Sequence, residues 1–247
     1  MNNALTEKKG SELTVMDMQE DANKGFEGMS TDKTAIPYIF ILQSSSKFVK
    51  KGPNQIPGAS DGDLFNSLSK EVYKGAIRVI PCAFRTKFTE RTPGDEGEFV
   101  RTHDDRSILN GATKNPEKGN FILPNGNTLS EVAYYYVLVV NETGTYDPAI
   151  ITMSSSQLKK SRNWNGQMKS LKVMGPNGAF TPAIYSHSYL LSTTIEQKGK
   201  NSWHAWTVSA PERVMDRDLV VAARKFNDEL AMLPAPTPAA SEDDNVF

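Results

Sequence analysis

The sequence predicts a mainly β protein, a barrel with flanking helices. Three observations carry that reading. Residues 132–140 and 149–153 are apolar runs dense in β-branched and aromatic side chains, parted by the polar turn 141–148, and they read as paired antiparallel strands. Residues 183–197 and 202–208 repeat the pattern around the turn Lys198-Gly199-Lys200-Asn201. Between the two hairpins lies one stretch of helical periodicity, residues 157–171, with Leu158, Trp164, Met168 and Leu171 on one side.

The other elements follow in chain order. Residues 1–34 are polar, with scattered Met, Gly and acids, and read as a mobile arm with a short helix near residues 13–22. Residues 36–42 are the first strongly apolar run, expected as an edge strand after Pro37. Three lysines surround one aromatic at residues 47–51, and a Gly/Pro/Asp loop runs to residue 63. Residues 63–66 and 71–73 suggest a short hairpin. Residues 76–91 form the longest strand candidate, with Arg78, Arg85, Lys87 and Arg91 on a basic outer face. Pro81 cannot donate to a ladder and implies a bulge or an edge there. Residues 92–130 are rich in Gly, Asn, Asp and Pro and read as a long excursion with short strand pieces at 98–102 and 120–123. Ser154-Ser155-Ser156 is expected to cap the helix over 157–171. Gly175-Pro176-Asn177-Gly178 breaks the chain. A helix over 212–233 presents Val214, Leu219, Val221, Ala222, Phe226, Leu230 and Leu233 as an apolar face, and Pro234 stops it. Residues 234–240 form a Pro/Ala linker.

A long bulged strand, a hairpin, a helix and a second hairpin give the order β-β-β-α-β-β. That is the order of the five-stranded OB-fold barrel, here elaborated by N-terminal strands and a C-terminal helix. The expected organisation is an arm (1–34), an OB-fold nucleic-acid-binding domain (35–233), and a linker with an acidic tail (234–247).

The 247 residues are 38% hydrophobic and 23% charged, with net charge −1, values of an ordinary globular protein. No global basicity marks nucleic-acid binding; the distribution does. Residues 234–247 hold Glu242, Asp243 and Asp244 and no base, so without them the formal charge moves from −1 to +2. The lone cysteine, Cys82, excludes an intramolecular disulfide and a cysteine-built zinc site. Its apolar surroundings, residues 77–84, fit an inert thiol. The first residues hold no apolar signal core, and no run reaches membrane-spanning length; a cytoplasmic protein with no membrane contact is expected.

Catalytic signals are weak. His103 sits in Thr102-His103-Asp104-Asp105, with no second His at ligand spacing. Glu196-Gln197-Lys198 matches the E-x-K half of a metal-dependent nuclease site, an enzyme alternative without a convincing partner Asp. No phosphate loop, dinucleotide fingerprint or nucleophile elbow is present. No cofactor is implied.

Binding signals are denser. Proteins that hold single strands combine a basic groove with aromatic faces. Here Lys47, Lys50 and Lys51 surround Phe48; Arg85 and Lys87 precede Phe88; Lys159, Lys160 and Arg162 precede Trp164; and Lys198 and Lys200 precede Trp203 and Trp206. Each aromatic has a plainer reading as core, Trp164 above all, since it shares a helix side with Met168 and Leu171. Trp203 and Trp206 have opposite parity in a strand, so one of them faces away from the core unless a bulge intervenes.

The chain ends in three acids followed by Asn-Val-Phe. This resembles the C-terminal tip of bacterial single-stranded DNA-binding proteins and the acidic, Phe-ended tail of the T7-type phage single-stranded DNA-binding protein. Asp243, Asp244, Val246 and Phe247 match; Asn245 and the lack of a penultimate Pro depart. The chain as a whole is similar to phage proteins. The resemblance implies a protein of the host-cell cytoplasm that coats single-stranded DNA in replication or recombination. It implies recruitment of a polymerase, helicase or primase through Asp243, Asp244, Val246 and Phe247, and a homo-oligomer is compatible with it. The alternatives are a metal-dependent phage nuclease and a phage accessory or virion protein that does not bind DNA.

Overall fold

The computed structural model describes residues 24–29, 33–94, 97–116 and 118–232. The chain divides into two units, Met1–Ala35 and Ile36–Phe247. In the first, residues 24–29 form turns, with Met29 N donating to Phe26 O at 2.9 Å. The expected short helix near 13–22 and the linker and tail lie outside the described residues.

The second unit is mainly β. It runs β1 (Tyr38–Ile41), β2 (Leu64–Asn66), β3 (Val72–Tyr73), β4 (Ile77–Arg91), β5 (Phe99–His103), β6 (Thr113–Lys114), β7 (Phe121–Ile122), β8 (Thr128–Val140) and β9 (Tyr146–Ser154). Helix α1 (Leu158–Ser170) follows, then β10 (Val173–Gly175), β11 (Gly178–Phe180), β12 (His187–Lys198), β13 (Asn201–Val208), β14 (Glu212–Arg213) and α2 (Arg217–Met232). The main path of the sheet is β13-β12-β4-β8-β9-β1-β2-β3. The five strands of the expected barrel are therefore contiguous, and the sheet is a curled, open half-barrel with flanking helices. No helix among the described residues is long and apolar enough to cross a membrane.

One cluster shows the curl. Ile39 and Ile41 of β1, Leu64 of β2 and Trp206 of β13 come from the two ends of the sheet, yet they bury together with Tyr135, Val137 and Leu191 from its middle. Helix α1 enters this interior with Trp164 and Met168. The opposite face, with Ile80, Cys82, Tyr134, Tyr136 and Leu138, is covered by Ala223, Phe226 and Leu230 of α2. Strand β4 organises both faces. It pairs with β8 along its length, and on its other edge with β12 at one end and β5 at the other. Its register slips between Pro81 and Ala83, the bulge that a residue without an N–H demands. The Cys82 carbonyl freed there accepts from Asn227 Nδ2 of α2 at 2.7 Å, and burial pushes the Cys82 thiol up to about 12.

Several expectations are corrected. β1 is no edge: it pairs parallel with β9 and antiparallel with β2. None of the three serines caps α1 with its side chain; a short 3-10 turn, Ser155–Gln157, precedes the helix. The last helix starts at Arg217, because Glu212 and Arg213 pair with β12 and Asp216 Oδ1 accepts from Asp218 N and Leu219 N as its cap. The break at 175–178 is the turn of the β10–β11 hairpin. The excursion after β4 has a core of its own, Phe88, Leu123 and Leu129.

Candidate nucleic-acid interface

Strand β13 has one edge on β12 and one facing the gap in the curl. A buried strand edge needs partners for its peptide groups, and here two side-chain amides supply them. His204 N donates to Gln43 Oε1 and Gln43 Nε2 donates back to His204 O, both at 2.9 Å. Trp206 N donates to Gln157 Oε1 at 3.2 Å, and Gln157 Nε2 reaches His204 O at 3.5 Å. A primary amide carries the donor and acceptor of a peptide, so each glutamine stands in for one residue of a missing strand. Gln43 follows β1 and Gln157 precedes α1, so both segments are tied to the same carbonyl.

The loop between β1 and β2 is stapled there again. Thr193 Oγ1 donates to Gly62 O at 2.7 Å, and His204 Nε2 lies 3.4 Å from Asp61 Oδ2. Gly62 has φ +85°, and a Cβ on it would stand 2.5 Å from the His204 ring; only glycine fits both the backbone and the imidazole. Phe48 anchors the loop from within, 8% exposed and 4.6 Å from the ring of Phe65. Lys50 and Lys51 stand exposed outside it, as does Lys47, whose Nζ lies 5.4 Å from the Phe48 centroid.

Three of the four basic segments thus belong to elements tied to β13. The loop brings Lys47, Lys50 and Lys51, α1 brings Lys159, Lys160 and Arg162, and the β12–β13 turn brings Lys198 and Lys200. All are exposed except Lys160, which reaches Glu196 Oε1 at 2.6 Å. That ion pair also occupies the acid of the Glu196-Gln197-Lys198 motif.

The fourth segment lies elsewhere. Arg85 belongs to the face covered by α2: it donates to the Leu230 carbonyl near the helix end and sits 5.6 Å from the Tyr136 centroid, the place where a cation complements the helix dipole. Lys87 is 1% exposed, paired with Asp104 Oδ1 at 2.9 Å and 5.5 Å from the Tyr134 centroid. Two tryptophans are core. Trp164 is 1% exposed, stacked on Tyr135 at 4.2 Å, and Trp206 is 3% exposed. With Phe48 and Lys87 they are spent on packing, since a side chain enclosed in this way offers no face to a ligand. Trp203 is the tryptophan on the other parity: half-buried, opposite Glu196 across the ladder, its buried Nε1 without a hydrogen-bond partner. Asp243, Asp244, Val246 and Phe247 lie outside the described residues.

Gln43 and Gln157 hold their segments against His204 and Trp206 of β13, a role that sequence reading did not assign. A glutamine directly after an apolar run and another just before a helix are the only signals they leave.

A second polar network holds the excursion. Glu90, 1% exposed, accepts from Asn127 Nδ2 at 2.7 Å, Arg101 Nε at 3.2 Å and Asn125 Nδ2 at 3.4 Å, and lies 2.7 Å from His103 Nε2. The Asn127 amide does most to lower its carboxyl, burial opposes, and His103, Arg101 and Asn125 add to the lowering, to about 2. His103 is thereby a partner of Glu90, anchoring β5 and the excursion.

A family model described as Pam3 phage gp34-like protein matches residues 6–232. No curated protein and no solved structure matches the chain.

Proposed function

The chain belongs to the Pam3 phage gp34-like family, and from that phage setting we propose that it binds single-stranded DNA in replication or recombination, without catalysis. The observation that carries the proposal is that three elements bearing exposed basic segments are tied to one strand, β13, which also carries a tryptophan on the face opposite Trp206. Cations on the β1–β2 loop, on α1 and at the β12–β13 turn neutralise phosphates, and Trp203 stacks on a base. The acidic, Phe-ended tail recruits a polymerase, helicase or primase: its apolar side chains and acids suit a basic pocket with an apolar floor.

The test is a fluorescence titration with poly-dT at two salt concentrations. Binding that weakens steeply with salt and exceeds that of duplex is expected. Affinity unchanged by salt, or equal for duplex, removes the proposal.

A further inference from the structure

The β10–β11 hairpin is a sheet of its own. Val173 pairs with Phe180, Met174 with Ala179 and Gly175 with Gly178, and neither strand pairs with the main sheet. Two strands alone are marginal in water, and this pair carries apolar side chains out to solvent, Met174 78% and Phe180 50% exposed. Cross-strand partners share a face and neighbours alternate. Phe180 therefore lies on the face of Val173 and Gly175, and Met174 on the other. The Phe180 ring rests over Gly175: a Cβ there would stand 3.1 Å from Cε1 and 3.3 Å from Cδ1. The ring has backbone beneath it and an open side, so little freedom remains to be lost on binding.

The charge of the chain leading into and out of the hairpin is one-sided. Lys169 and Lys172 lead from α1 into the hairpin, and Lys172 Nζ donates to Thr181 Oγ1 at 2.6 Å, which holds that ammonium beside β11. Residues 148–195 contain no Asp or Glu, where the chain's average of 29 acids in 247 residues would place five or six. An exposed aromatic in a stretch of chain that carries Lys169 and Lys172 and no acid complements a base on a phosphate backbone. It does not complement a second copy of this chain, whose own patch carries the same sign.

We propose that Phe180 is a base-stacking platform, and that single-stranded nucleic acid lying along α1 places a base on it. The proposal rests on the nucleic-acid reading above and adds a contact to it. Phe180→Ala should weaken binding of fluorescein-labelled oligo-dT at low salt by roughly tenfold, as expected for one lost base–aromatic stack. Phe180→Trp should bind as the parent does, and Gly175→Ala, which tilts the ring, should weaken binding. Met174→Ala, on the opposite face, should leave affinity unchanged. A strand of abasic deoxyribose phosphates should bind parent and Phe180→Ala equally. Where the parent binds oligo-dT and Phe180→Ala binds it equally well, the platform is wrong while DNA binding stands. An equal loss on the abasic strand, or an equal loss in Met174→Ala, overturns it in the same way. A parent dimer that Phe180→Ala splits in sedimentation also overturns it, by making the hairpin a contact between copies. A parent that binds neither strand removes the DNA-binding reading and the platform together.

Discussion

Trp164 and Trp203 carry the same side chain to opposite ends. Trp164 stacks on Tyr135 at 4.2 Å and meets Tyr189 edge-on at 5.5 Å inside the curl. Trp164→Ala should cost about 3–5 kcal/mol of stability, the range for emptying a buried aromatic site, read as a lower urea midpoint. Trp203→Ala should cost less stability and instead weaken single-strand binding by about 1–3 kcal/mol; normal binding by the folded variant removes the stacking role. Glu90 sets an acid limit. Its folded carboxyl is held at about 2 against an ordinary 4.5. A group depressed in this way stabilises fully above its unfolded pKa, and that stability is lost as pH falls through the folded pKa. The window therefore runs from about pH 4.5 down to about 2, over which on the order of 3 kcal/mol is lost. Glu90→Gln should be less stable near neutrality and flatter with pH across that window in urea titrations. Parallel curves for the two proteins would show that Glu90 is not the group responsible.

Among the elements, β13 shows how a sheet edge is closed without a strand. Gln43→Ala leaves His204 N without its acceptor and His204 O with only the longer Gln157 contact, and should cost about 1–3 kcal/mol. Hydrogen exchange at His204 should quicken more than at Ala205, whose strand neighbour is β12. Gln157 shares the His204 carbonyl, so the double variant should depart from additivity; strict additivity would mean the two amides do not act on one edge. The hairpins β8–β9 and β12–β13 were legible because their runs are long and rich in β-branched and aromatic residues. The Pro81 bulge was legible because a missing N–H is a property of the residue itself. The inner position of β1 was not, since its parallel pairing with β9 depends on residues more than a hundred positions away. Periodicity carried the last helix back to residue 212, although Asp216 offered a nearer cap; pairing with β12 claimed the residues before it. Strands of three residues are too short for pattern, so the β10–β11 hairpin read only as a break. Alternation put Arg85 and Lys87 together on one face of β4 and read that face as outward, yet Lys87 is buried there. It held no sign that α2 covers Arg85, or that Asp104 and the Tyr134 ring enclose Lys87.

At the scale of the molecule, net charge is close to zero, so binding to a polyanion depends on where the cations stand and not on their number. That makes the salt dependence of binding a map of the interface. On single strands each neutralised phosphate contributes roughly 0.7 to the slope of log affinity against log salt. Three double variants sample the three basic segments on elements tied to β13: Lys50→Gln with Lys51→Gln, Lys159→Gln with Arg162→Gln, and Lys198→Gln with Lys200→Gln. If one strand of DNA crosses all three, each pair should lower the slope by up to roughly 1.4, and pairs combined from different segments should add. All six side chains are exposed, so stability should hardly move. Arg85→Gln is the control for charge alone. It removes a cation from the far face of the sheet and the partner of the Leu230 carbonyl, so it should lower the melting temperature and leave the slope as it was. A segment whose pair does not change the slope is off the path of the DNA. Were Arg85→Gln to lower the slope as much per charge as the three pairs, attraction would follow total charge, and the surface around β13 would not be the binding surface.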